Sequence, residues 1–224
     1  MKKYKHIIFD LDGTLVDTLP DISNAMNKLL KDKKHDEKPI NFFRGFIGAG
    51  TRNLVDHIFR DKTEKEKYEL HNLFIKYYAT QVANKSKAYT DINRLLKKLN
   101  MQDIAISILT NKLDILTQPL VNTIFPDIQF QFIIGISDNI LPKPNPDALK
   151  QLISRSGIEK ESTLFVGDTH IDFQTANNAD INYIAASWGY QDKDHLLNIG
   201  CKNIVDSAIE LEQCLFQIHE STCA

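Results

Sequence analysis

Short apolar, β-prone runs at residues 7–9, 104–109, 132–134, 164–166 and 181–186 constrain this chain more than any other feature. They are continuous rather than alternating, which is the pattern of strands buried on both faces. Helix-period stretches fall between most of them, so the expected core is a doubly wound α/β domain, a parallel sheet with helices on both faces. Residues 145–157 show the signals of one such helix: Asn145 can cap it, Pro146 suits its first turn, and Gly157 can end it. Leu149, Leu152 and Ile153 line one face of that helix.

One stretch breaks the alternation. From residue 20 to residue 82 no strand pair is discernible, only helical patterns. Ile22, Ala25, Met26, Leu29 and Leu30 form one stripe, and Leu70, Leu73, Phe74 and Tyr77 form another. An all-helical insertion after the first strand is therefore expected. It would occupy 17–84, with the α/β core built from 1–16 and 85–224 and hinges near 16–19 and 84–87. A chain of 224 residues is long enough for a main domain carrying such an insert.

In open α/β sheets ligands sit outside the carboxyl ends of the strands, so the residues after each run matter most. After 7–9 come Asp10, Leu11, Asp12, Gly13 and Thr14; after 104–109 come Thr110 and Asn111. After 164–166 come Gly167, Asp168 and then Asp172, and ahead of them lies Pro142-Lys143-Pro144-Asn145-Pro146. Carboxylates, a hydroxyl, an amide and a lysine thus share one sheet edge. That set suits phosphoryl transfer. Carboxylates bind Mg²⁺, which also takes phosphate oxygens; a carboxylate can attack phosphorus; and a hydroxyl, an ammonium and turn N–H groups can hold the phosphoryl oxygens. Singly these residues say less: Thr110 and Asn111 would read as a helix cap, Lys143 as a surface lysine and Asp172 as a first-turn helix acid.

Together the segments resemble the haloacid dehalogenase-like hydrolase superfamily. Asp10-Leu11-Asp12-Gly13-Thr14-Leu15-Val16-Asp17-Thr18 is similar to its first motif, and Leu109-Thr110-Asn111-Lys112 to its second. Lys143-Pro144-Asn145-Pro146-Asp147 resembles the third and Gly167-Asp168-Thr169-His170-Ile171-Asp172 the fourth, in the family's order. The resemblance implies a Rossmann-like core with a small helical cap, and Mg²⁺ as cofactor. It implies Asp10 as nucleophile and metal ligand. Asp12 would be general acid and then base, its backbone carbonyl touching the metal. Thr110 and Asn111 would bind the phosphoryl group, Lys143 would neutralise it, Asp168 would complete the metal site, and Asp172 would act through water or from behind the ligands. A carboxylate at Asp12 separates the phosphatases of the superfamily from its true dehalogenases.

The helical insert resembles the cap of phosphoglycolate phosphatase-like members, and residues 47–54, with Gly48, Gly50 and Arg52, resemble their cap loop facing the catalytic site. The expected substrate is a small phosphorylated metabolite, 2-phosphoglycolate first, with Arg52 available to pair with its carboxylate. A β-phosphoglucomutase-like mutase, a pyrophosphatase and a broad sugar or nucleotide phosphatase stay open as alternatives. So does a non-catalytic interaction module, although no motif is missing. Two positions depart from relatives: Thr90-Asp91 replaces a Pro-Gly turn, and Ala179-Asp180 replaces Ala-Gly. Asp tolerates a left-handed conformation at some cost.

Composition excludes other classes. A net charge of −2 with no basic stripe gives nucleic acid no footprint, and the lysines of 28–38 are interleaved with Asp32, Asp36 and Glu37. The apolar run near the start is too short for a signal-peptide core and nothing approaches a membrane span. Cys201, Cys214 and Cys223 form no CxxC pair, which suits thiols in a reducing cytoplasm. A monomer or homodimer is expected.

Overall fold

The five apolar runs become five strands of one six-stranded sheet in the computed structural model, which describes residues 4–216; Cys223 lies outside them. The strands in chain order are β1 (His6–Phe9), β2 (Val16–Asp17), β3 (Lys87–Ala88), β4 (Ala105–Leu113), β5 (Phe132–Ile136), β6 (Thr163–Gly167), β7 (Asn182–Ala186) and β8 (Ile204–Val205). The sheet order is β5-β4-β1-β6-β7-β8, and all its pairings are parallel. Phe9 lies level with both Ile108 and Val166. That register brings the ends of β1, β4 and β6 to one edge, where the chain order reverses on either side of β1.

Strand geometry sends alternate side chains to opposite faces. Ile7 and Phe9 enter one apolar layer with Leu95, Leu99 and Leu211 from helices Ile92–Met101 and Ala208–Phe216. Ile8 enters the other with Leu149, Leu152 and Ala176 from helices Asp147–Ser156 and His170–Ala179. Helix Asp147–Ser156 starts one residue later than its sequence suggests: Pro146 is its N-cap and offers no side-chain cap, Asn145 Oδ1 accepts from Asp147 N at 2.8 Å from just outside the helix, and Gly157 ends it at φ 69°. Cys201 and Cys214 form no disulfide, and no helix among the described residues is long and apolar enough to cross a membrane.

Between β2 and β3 lie helices Leu19–Asp32, Ile40–Arg44, Thr51–Ile58 and Glu64–Ala79. They gather a separate core from Ile22, Met26, Leu29, Phe43, Phe74 and Tyr78. The first expected stripe is wholly buried; in the second, Leu70 and Phe74 are buried while Leu73 and Tyr77 are partly so. Where the chain leaves the sheet domain and returns, β2 and β3 pair antiparallel, Val16 with Ala88 and Asp17 with Lys87. This ribbon, like β8, was not anticipated, because two-residue strands carry no periodicity. A buried carboxylate reinforces it: Asp21 accepts from Lys85 N, Ser86 N and Ser86 Oγ at 2.7–2.9 Å.

Both departures from the glycine turns are left-handed, Asp91 at φ 63° and Asp180 at φ 56°. Asp103, at φ 53°, follows helix Ile92–Met101 in a Schellman motif, with Ile104 N donating to Leu99 O. Replacing such a residue by glycine relieves a steric cost of about 0.5–1 kcal/mol. Asp103→Gly is therefore expected to raise the unfolding midpoint by about 1–4 °C at this chain length. Asp180→Gly should gain less, because it loses the surface pair with Lys160. Thermal melts of the two variants beside the parent protein check this; a lower midpoint for Asp103→Gly would contradict it.

Candidate active site

Asp10 prolongs β1 by one residue, its N–H donating to Val166 O at 2.8 Å. The chain then turns sharply through Gly13, at φ 92°. A Cβ there would lie 2.2 Å from Asp168 Oδ2, so only glycine lets the turn run beside that carboxylate. Asp168 is fixed from two sides: Thr14 Oγ1 donates to Oδ1 at 2.8 Å and Tyr190 N to Oδ2 at 2.7 Å. Asp172, on the first turn of helix His170–Ala179, accepts from Thr169 N and Thr169 Oγ1 through Oδ2.

Asp10, Asp168 and Asp172 are all buried, and each offers an oxygen within 4.8 Å of the others'. Lys143 Nζ stands 2.5 Å from Asp172 Oδ1 and 2.8 Å from Asp10 Oδ1. The contact to Asp10 lacks hydrogen-bond geometry, so Oδ1 accepts no hydrogen bond. Burial pushes the Asp10 carboxyl up to about 7, against the pull of Lys143 and with the push of Asp172 and Asp12. Burial likewise raises Asp168, reinforced by Asp172 and Asp10. Burial opposes the charge on Lys143, yet Asp10 and Asp172 outweigh it and hold the ammonium protonated. Three clustered carboxylates with one ammonium remain short of positive charge. Hard oxygen donors, an orphaned buried oxygen and mutual repulsion fit a divalent cation such as Mg²⁺, and Asp10, Asp168 and Asp172 are the side chains that would hold it. The last of these was expected only behind the ligands. Asp12, expected as a ligand through its carbonyl, does not contribute its carboxylate.

On β4 the ladder to β5 breaks between Leu109 and Leu113, so Thr110, Asn111 and Lys112 leave the regular register. Gly135 of β5 makes this possible, since a Cβ there would lie 2.7 Å from Lys112 O. Thr110 and Asn111 both reach the cleft. The Asn111 carboxamide, expected to bind phosphate, is engaged otherwise. Nδ2 donates to Gly48 O and Lys143 O, each at 3.0 Å, and Oδ1 accepts from Lys143 N at 2.7 Å. It places the lysine loop and the helical insert.

The carboxylate of Asp12 points to different partners. Oδ1 accepts from Thr18 Oγ1 at 2.7 Å, and Lys112 Nζ lies 3.1 and 3.3 Å from its two oxygens. Thr18 stands at the N-cap of helix Leu19–Asp32 but makes no side-chain cap, its hydroxyl being spent on Asp12. Tyr190 Oη supplies the missing acceptor, taking Thr18 N at 2.9 Å and Leu19 N at 3.1 Å.

The helical insert closes the cleft. Ile22, Phe46, Ile47, Gly48, Gly50, Thr51 and Leu54 face Asp10, Asp12, Thr110, Asn111 and Lys112. Gly48 and Gly50 are thus where their loop was expected to be. Arg52 is not. Its guanidinium pairs with Asp56 at 2.7 Å and Glu64 at 2.8 Å, outside the cleft lining. Two residues past Gly50, on helix Thr51–Ile58, it takes these surface carboxylates as partners instead of entering the cleft.

The profile of haloacid dehalogenase-like hydrolases matches residues 7–186. The chain belongs to that family. It is 31% identical over 184 residues to a phosphoglycolate phosphatase of Aquifex aeolicus, covering 82% of this chain and 85% of the relative. It is 29% identical to that of Nitrosococcus oceani, covering 97% and 99%. A solved structure from Lactobacillus delbrueckii subsp. bulgaricus superposes with TM-score 0.90 at 28% identity, covering 96% and 99%.

Within this haloacid dehalogenase-like frame, sequence reading missed several residues of the site. Tyr190 joins Asp168 to the segment entering helix Leu19–Asp32. Arg44, from helix Ile40–Arg44, donates to Gly189 O at 2.6 Å and Tyr190 O at 3.1 Å. Lys112 was quoted in a motif without a role, and its burial beside Asp12 is the signal that reveals it. Burial lowers its ammonium pKa, against the pull of Asp12.

Divalent cation binding has a thermal signature. The raised Asp10 carboxyl gives the metal-free protein stability that is full below its unfolded value of 3.8 and lost as pH rises through about 7. A cation competes with those protons, so it should stabilise more at pH 8 than at pH 5.5. Mg²⁺ at a hundred times its Kd should contribute about 2.7 kcal/mol, a shift of about 5–10 °C at pH 8. Differential scanning calorimetry of the parent protein and Asp168→Asn checks this; an undiminished shift in the variant would contradict the site.

Proposed function

We propose that this protein is a Mg²⁺-dependent phosphate monoester hydrolase that works through an aspartyl phosphate on Asp10 and acts on 2-phosphoglycolate. The observation that carries the chemistry is a difference among carboxylates. Asp12, Asp168 and Asp172 each accept hydrogen bonds from fixed donors, whereas Asp10 accepts none among the described residues and opens on the cleft. A carboxylate whose one polar contact is the Lys143 ammonium, with no backbone or hydroxyl donor fixing it, is the group able to attack.

In the first step an Asp10 oxygen forms a bond to phosphorus as the ester oxygen leaves with its electron pair, and Asp12 gives that oxygen a proton. In the second, Asp12 takes a proton from water as the water oxygen attacks phosphorus, releasing inorganic phosphate and restoring Asp10. Lys143 and Thr110 hold the phosphoryl oxygens as charge moves between them. The bound cation would supply charge neutralisation, without which a dianionic phosphate would meet several carboxylates.

Residues 17–84 act as the cap in this reading, excluding water and meeting the leaving group. The substrate assignment rests on the relatives' names. The cap brings no cation to the cleft lining; what it offers a carboxylate is Thr51 and the start of helix Thr51–Ile58, where Gly50 provides no side-chain cap.

Asp10→Asn should lower kcat by roughly 10³-fold or more with the circular dichroism spectrum unchanged, since the amide cannot attack phosphorus. Substantial turnover by that variant would exclude the mechanism. On a panel of phosphate monoesters, kcat/KM for 2-phosphoglycolate should exceed that for ethyl phosphate by about tenfold or more, the worth of one charge-assisted contact. Equal values would leave the chemistry standing and remove the substrate.

A further inference from the structure

Lys112 is a buried ammonium that the two chemical steps do not use. Its side chain is 1% exposed, and at the wall of the cleft its ammonium meets Asp12. An ammonium has three hydrogens to place. Asp12 takes contacts at both oxygens, and the Tyr78 hydroxyl accepts at 2.5 Å. Tyr78 is not a neighbour in the sheet domain. It stands near the end of helix Glu64–Ala79, fully buried in the core of the helical insert. Its oxygen therefore moves with the insert, while Lys112 stays with β4.

Among the described residues the Asp12 carboxylate is held by two groups, Thr18 at the hinge and Lys112. Lys112 has a flexible four-carbon stem, and a lysine is a point charge with no fork to fix its direction. What fixes its direction here is the hydroxyl on the insert. If the insert lifted, the ammonium would lose that acceptor and swing toward water, and Asp12 would lose one of its two anchors. From this geometry we infer that Lys112 is a positioning residue: through Tyr78 it makes the orientation of Asp12 depend on closure of the helical insert. The inference rests on the proposed proton-transfer role of Asp12. It gives that role a gate, because Asp12 is aligned with the leaving oxygen only when the site is covered.

Rapid-quench measurement of phosphoenzyme formation in single turnovers tests it, with two esters and four variants. An aryl phosphate such as 4-nitrophenyl phosphate expels a weakly basic oxygen that needs no proton, whereas an alkyl phosphate needs one. Lys112→Met, nearly isosteric, should slow the alkyl ester by about 10–100-fold, within the range of general acid catalysis, and the aryl ester by less than about threefold. Tyr78→Phe should slow the alkyl ester by about 3–10-fold with the same selectivity. The double variant should be no slower than Lys112→Met, since Tyr78 acts through the lysine.

Equal slowing of both esters, or multiplying effects in the double variant, would mean a merely structural role and overturn the inference. So would unchanged kinetics. Tyr78→Phe removes one oxygen and keeps the test decisive if Lys112→Met does not fold. Asp12→Asn in the same assay separates the two readings. Selective slowing of the alkyl ester there but not in Lys112→Met defeats only the link; no selective slowing in Asp12→Asn defeats the proposed role of Asp12 itself.

Discussion

Mutual repulsion among three buried carboxylates governs this structure. Asp10, Asp168 and Asp172 lie within 4.8 Å of one another with Lys143 as the ammonium between two of them. Buried like charges are expensive unless paired, so a fold does not adopt this arrangement for its own stability. The surrounding chain is organised to hold it. Gly13 makes room for Asp168, Thr14 and Tyr190 donate to it, and Thr169 ties Asp172 at the helix start. Asn111 fixes the loop that carries Lys143. What this scaffold leaves unsatisfied is Asp10, and that is what makes it chemically distinct.

Tyr190 extends the same constraint to the helical insert. Its N–H holds Asp168, its hydroxyl accepts from the first N–H groups of helix Leu19–Asp32, and its carbonyl receives Arg44. One residue of a late loop thus touches the candidate metal ligand, the hinge and the insert. The β2–β3 ribbon and Asp21 bind the two hinge strands to each other, so the insert is attached as a unit rather than by two independent tethers. Gly48 O meets Asn111 and Tyr78 Oη meets Lys112, and both contacts end on β4 where it departs from the ladder.

Much of this was legible in the residues. Continuous apolar runs followed by Asp10, Thr110 and Asp168 required a parallel sheet with those groups at one edge, because strand ends in register must meet. The stripe through Ile22, Met26 and Leu29 announced a helix with a buried face. The left-handed Asp91 and Asp180 fall at turns where the family resemblance leads one to expect glycine. Two-residue strands were illegible, since periodicity needs length. Arg52 misled because its position on a loop-proximal helix turn suggested the cleft, while the partners that claim it, Asp56 and Glu64, lie up to twelve residues away in sequence.

The sequence alone settled the fold class, the helical insertion after the first strand and which residues meet at the sheet edge of the candidate site. Those depend on hydrophobic periodicity and on the residues immediately after each strand, which are local properties. Tertiary structure decided which carboxylate stays free, where Asn111 spends its amide, and that Lys112 answers to Tyr78. These are contacts between segments 32 to 100 residues apart, and hydrogen-bond geometry at that separation exists only once both domains have packed.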